Sequence, residues 1–158
     1  MSIEKSPGSD PRPEGEKYGF REETPAQTGA EEVRKTPVFL LAEKLLHTEG
    51  LTGRLEYHPE GDYFDWSFHE HLSLTVTTGE MGWGYIEVNG SFPMRPYAGE
   101  MYDVLLSIGK GETVFVTKLG PAGRYISGVY PLEYYHKKRR KLRFGVAVRI
   151  YSSKGEVE

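Results

Sequence analysis

The apolar positions of this chain change their spacing at Gly50. Before it, Val38, Leu41, Ala42, Leu45 and Leu46 recur at i, i+3, i+4, i+7 and i+8, which draws a single stripe along an α-helix. Thr36 suits the N-cap and Pro37 the first helical position, where a missing N–H leaves nothing unpaired. Gly50 fits a left-handed C′ position, with Leu51 folding back on Leu46. Phe39 and Leu40 lie off the stripe and widen its buried face. After Gly50 the period falls to about 2 and turn residues return about every ten positions, the pattern of an antiparallel sheet. Strands are expected near residues 52–58, 63–78, 82–93, 100–108, 112–119, 123–131 and 142–152, with 134–141 an eighth strand or a long turn.

Two of these strands define faces. Trp66, Phe68, Leu72, Leu74 and Val76 share one side of residues 63–78, opposite His69, His71 and a row of Ser and Thr. Leu142, Phe144, Val146, Val148 and Ile150 share one side of the last strand. Trp83, Tyr85 and Glu87 also fall on one side, to pack or to line a pocket. Asn89-Gly-Ser91 reads as a hairpin turn or bulge. The expected fold is therefore mainly β: an antiparallel barrel or curled sandwich of about seven strands, with one N-terminal α-helix. Residues 36–153 form the β-rich domain, 154–158 a C-terminal tail, and 1–35 a flexible or partner-docking arm. That arm is rich in Pro, Gly and charge and cannot bury enough apolar area to offset the entropy of ordering. Its aromatic pair, Tyr18 and Phe20, is the natural anchor should it dock.

The chain has 158 residues, 37% hydrophobic and 13% aromatic. This length builds one core rather than two, filled by a few large rings. There is no cysteine, which excludes disulfides, thiolate metal sites and cysteine nucleophiles. No apolar run approaches the roughly 18 residues that span a bilayer, and Met1-Ser-Ile-Glu does not begin a secretory signal, so no membrane insertion and a cytoplasmic location are expected. Phosphate-loop, dinucleotide and Gly-x-Ser-x-Gly motifs are missing.

The net charge of −3 conceals an asymmetry. Residues 36–120 carry 12 acids against 5 bases, and residues 121–158 carry 3 acids against 9 bases. Within the basic end, Tyr134 and Tyr135 precede His136 and the cations Lys137, Lys138, Arg139, Arg140 and Lys141, with Arg143 beyond. Five consecutive cations repel one another and so project into solvent, either as a solvated turn or sheet rim that discourages edge pairing or to meet an acidic protein surface, a second copy of the chain, or phosphates with the tyrosines stacking on bases. A pI near 6.0 argues against nucleic acid as the first choice.

His69-Glu-His71 is the other candidate. Two histidines two apart on a strand point the same way and could share one divalent metal. The pattern resembles the His-x-His of the cupin barrels, and the resemblance implies metal-dependent enzyme chemistry with His69 and His71 as ligands. It covers those three residues: where cupins place a Glu further along the strand this chain has Thr75 and Val76, and the later His has no counterpart but His136. The leading expectation is a non-enzymatic binding or assembly subunit that contacts an acidic partner through the basic rim and the arm. A cupin-like enzyme and a nucleic-acid binder are the alternatives.

Overall fold

In the computed structural model, which describes residues 35–79 and 82–158, the chain is mainly β and contains two antiparallel sheets. Tyr18 and Phe20 lie outside the described residues. The first element is helix α1 (Pro37–Leu46). The Thr36 hydroxyl accepts the Phe39 N–H at 3.1 Å and donates to Asp62 Oδ1 at 2.6 Å, so the cap also ties the helix to the first sheet. Val38, Phe39, Ala42 and Leu45 are its buried residues. The helix ends at His47 rather than running to Gly50, whose positive φ serves the following turn.

The five strands β1 (Arg54–His58), β2 (Tyr63–His69), β3 (Leu72–Thr78), β4 (Gly84–Val88) and β5 (Phe92–Met94) form a meander in chain order. The expected long strand 63–78 is thus a hairpin, turned at Glu70 and His71. Because the turn is two residues long, Phe64, Trp66, Leu74 and Val76 keep to one face, and all four are buried. Between β4 and β5, Asn89 and Gly90 both take positive φ, the geometry of a tight hairpin turn. The Asn89 side chain reaches back to β3, accepting from the Ser73 N–H and donating to the His71 carbonyl.

Residues 100–108, expected as a strand, are instead helix α2 (Met101–Gly109) after a short 3₁₀ turn at Ala98–Glu100. Both periods fit so short an apolar run. The helical one wins because Met101, Leu105 and Ile108 then share a face and are buried with the first sheet. Glycine makes the approach close: a Cβ at Gly109 would lie 2.6 Å from the Trp66 ring, and one at Gly84 would run into the Met101 side chain.

The second sheet has the order β7 (Gly123–Pro131), β6 (Thr113–Gly120), β8 (Arg149–Ser152), β9 (Gly155–Val157). It is covered on both sides. Phe115 belongs to the core shared with the first sheet and both helices, whereas Val114, Val116 and Ile150 pack with Tyr135 and Leu142. The latter two come from short helices α3 (Leu132–Lys137) and α4 (Arg139–Leu142), so 134–141 is neither strand nor simple turn. Residues 154–158, expected as a tail, contribute the edge strand β9. The described residues therefore make nine strands in two sheets that do not close into a barrel, and among them no helix is long and apolar enough to cross a membrane.

Candidate binding surface

Helices α3 and α4 are separated at Lys138, whose φ of −118° and ψ of 29° leave the helical region. The break lets Tyr135 and Leu142 both turn inward. Tyr135 is fully buried and is a core residue, not the contact residue its place in the sequence suggests. Its hydroxyl accepts from Arg143 Nε at 2.7 Å, and Arg143 Nη2 donates to the Val157 carbonyl at 2.6 Å. Arg143 is thus built into the joint between α4 and β9 rather than offered to a partner. Tyr134 is half-buried and stacks on Tyr130 with ring centroids 5.5 Å apart.

The other five cations behave differently. Lys137, Lys138, Arg139, Arg140 and Lys141 are all exposed. Among the described residues no carboxylate lies within ion-pair distance of any of them; the pairs that do form there are His58–Asp65 and His71–Glu70. Arg139 makes one long contact, 3.5 Å, to the Glu158 backbone carbonyl.

Directly after α4 the chain departs from the single strand expected over 142–152. Gly145 and Ala147 take positive φ, of 142° and 48°, and this breaks the alternation that made 142–152 look like one strand. β8 begins only at Arg149. Phe144 is consequently 80% exposed and Val146 66% exposed. The loop is nonetheless pinned: the Leu119 N–H donates to the Val146 carbonyl at 3.1 Å, and Arg124 Nη1 donates to the Ala147 carbonyl at 2.8 Å. Leu119 and Tyr125, on the hairpin that holds it, are exposed too. A side chain the size of Phe left in water forgoes about 1.5–3 kcal/mol that burial would return. The loop thus presents two exposed apolar side chains directly after a helix pair whose five exposed cations have no carboxylate partner among the described residues.

His69 and His71 occupy a different place. His69 closes β2 and His71 lies in the turn, so they do not project from one strand face. His69 Nδ1 accepts the His71 N–H at 3.2 Å, and its Nε2–H donates to the Ser152 carbonyl at 2.8 Å. Both ring nitrogens are therefore used on backbone groups. His71 stacks on Tyr151 at 4.8 Å, and its Nε2 pairs with Glu70 at 3.0 Å. Among the described residues no three His, Asp or Glu side chains converge on a point where an ion would sit. The donor set does not fit the metal centre that the cupin resemblance implies; the two histidines join the first sheet to β8. Nearby, the Tyr151 hydroxyl and then the Glu156 carboxylate raise the pKa of Arg149 above the usual arginine range.

The outward side of the first sheet completes the inventory. Register places Glu56 opposite Asp65, Asp65 opposite Thr75 and Thr75 opposite Glu87, one row across four strands. Part of this row, with Arg54, Ser67 and Ser73, lines a depression of about 290 Å³. On the same side of the chain as Glu87 and Tyr85, Trp83 stacks on Tyr97 at 4.4 Å, with Trp83 40% and Tyr97 58% exposed. Packing in the core does not account for Trp83. Comparison with protein-family models, with characterised proteins and with solved structures finds no match to this chain.

Proposed function

We propose that the protein is a non-enzymatic binding subunit whose α3–α4 surface engages an acidic protein partner. The observation that carries this reading is the set of five exposed cations, Lys137 to Lys141, without carboxylate partners among the described residues and adjoining the exposed Phe144 and Val146. The cations steer encounter and fix orientation, and the apolar pair supplies area that becomes buried on contact. An acidic protein suits this combination better than nucleic acid, because residues 36–120 carry 12 acids against 5 bases and the pI of the chain is near 6.0.

The test is fluorescence anisotropy with a labelled poly-glutamate peptide and, in parallel, a single-stranded oligonucleotide of equal charge, at salt from about 50 to about 500 mM, a range that shortens the screening length severalfold. Peptide binding that weakens with salt and is lost in the K137E/R140E variant supports the reading. Peptide binding that is absent or flat with salt overturns it, and tighter binding to the oligonucleotide replaces the protein partner with nucleic acid.

A further inference from the structure

We infer that the acidic partner is a second copy of this chain, which presents the outward face of its first sheet to the cations of α3–α4. The inference rests on the binding reading above and names its occupant from the molecule itself. The sheet face offers an acidic row, Glu56 and Glu87 at its ends and Asp65 between, with Arg54 sharing the depression beside Glu56; neither Glu56 nor Glu87 has a cation within ion-pair distance among the described residues. The segment that forms this sheet is acidic and the segment that forms the two short helices is basic, so the charges without partners among the described residues find charges of opposite sign on a second copy.

The apolar parts match as well. Phe144 stands beside the cations, and the stacked Trp83–Tyr97 pair stands on the side of the acidic row, both exposed. An aromatic ring set against an aromatic pair, with lysine and arginine nearby, gains offset stacking and cation–π contact in addition to buried area. The two surfaces belong to different outer layers. The acidic row is on the side of the first sheet turned away from the core, and α3–α4 cover the second sheet on the side turned away from Phe115. A contact between them is therefore head-to-tail, leaving one acidic face and one basic face free at the ends, and it propagates into a ring or an open chain.

Sedimentation velocity of the full chain tests this. At about 50 mM salt the sedimentation coefficient rises with concentration, and at about 500 mM the chain sediments as a monomer, since screening removes most of the attraction between exposed charges. The E56K/E87K variant, which changes solvent-facing ends of the row and leaves Asp65 with its Thr75 and His58 partners, remains monomeric at low salt yet still binds poly-glutamate. The K137E/R140E variant is also monomeric, and mixing the two variants restores association. A wild-type chain that stays monomeric at low salt while it binds poly-glutamate overturns the second copy and leaves the cationic surface standing. Loss of poly-glutamate binding removes the reading beneath it. Association that survives in E56K/E87K shows that the sheet face is not the contact.

Discussion

His69 Nε2 donates to the backbone carbonyl of Ser152 across 83 positions of sequence, at 2.8 Å. The bond joins the tip of the β2–β3 hairpin to the end of β8, and its geometry fixes the tautomer, because Nδ1 must accept from the His71 N–H. Replacing His69 with alanine leaves the Ser152 carbonyl short of a partner in a half-buried setting, at a cost of about 1–3 kcal/mol. Urea denaturation of His69→Ala reads this as a lower midpoint with unchanged slope. A variant as stable as the wild type would show that the joint carries no weight.

The same engagement predicts indifference to metals. An ion that bound the folded chain alone would raise its melting temperature, increasingly as its concentration exceeds its Kd. With both His69 nitrogens committed to backbone groups, zinc, iron(II) or manganese added to the purified protein is expected to leave the melting temperature unchanged. A rise that disappears in His69→Ala would reinstate a metal site there.

Asp62 Oδ1 receives two hydroxyls, Thr36 and Tyr57, each at 2.6 Å. Thr36→Ala therefore removes both a helix cap and half of this bridge, and is expected to cost about 1–2 kcal/mol, toward the upper end for a lost cap. Thr36→Ala and Tyr57→Phe share a partner, so their effects on thermal stability should not add. Additive effects in the double variant would mean that Asp62 does not couple them.

The helix, its cap, the strand near 52–58 and the turn at Asn89-Gly90 were legible because each is local, as the stripe from Val38 to Leu46 admits no strand; 63–78 and 82–93, each expected as one strand, are hairpins of two. What failed was governed by distant partners. Residues 100–108 alternate as well as they spiral, and only packing of Met101, Leu105 and Ile108 on the first sheet decides between the two. In 142–152 the apolar alternation is real, but positive φ at Gly145 and Ala147 redirects Phe144 and Val146 into solvent. No feature of composition marks an alanine for that conformation. The cations were visible in the sequence as a group; which of them are structural was not.

Gly109 sets two effects against each other. Alanine near a helix end gains about 0.5–1 kcal/mol over glycine in backbone entropy. Here the new methyl would sit 2.6 Å from the Trp66 ring and 3.0 Å from Leu51. Trp66 is fully buried and held by its indole N–H to the Thr52 carbonyl, so it has nowhere to move. Overpacking of this kind costs about 1–3 kcal/mol and outweighs the entropic gain. Gly109→Ala is expected to lower the melting temperature; a rise would mean that α2 can shift away from the sheet.

Arg143 and the run Lys137–Lys141 look alike in sequence, and stability measurements should separate them. Arg143 spans two acceptors with one rigid fork, the Tyr135 hydroxyl and the Val157 carbonyl. A lysine ammonium is a single point on a flexible stem and cannot reproduce the pair. Arg143→Lys keeps the charge but is expected to lose about 1–3 kcal/mol, because buried Tyr135 and the β9 backbone are left partly unpaired. Lys137→Ala or Arg140→Ala removes a charge from an exposed position and should change stability by less than about 0.5 kcal/mol. Poly-glutamate binding should invert the order: the alanine variants weaken it and steepen its dependence on salt no further, while Arg143→Lys binds as the wild type does wherever it is folded. If Arg143→Lys were stable and deficient in binding, Arg143 would belong to the contact surface and not to the joint that holds α4 against β9.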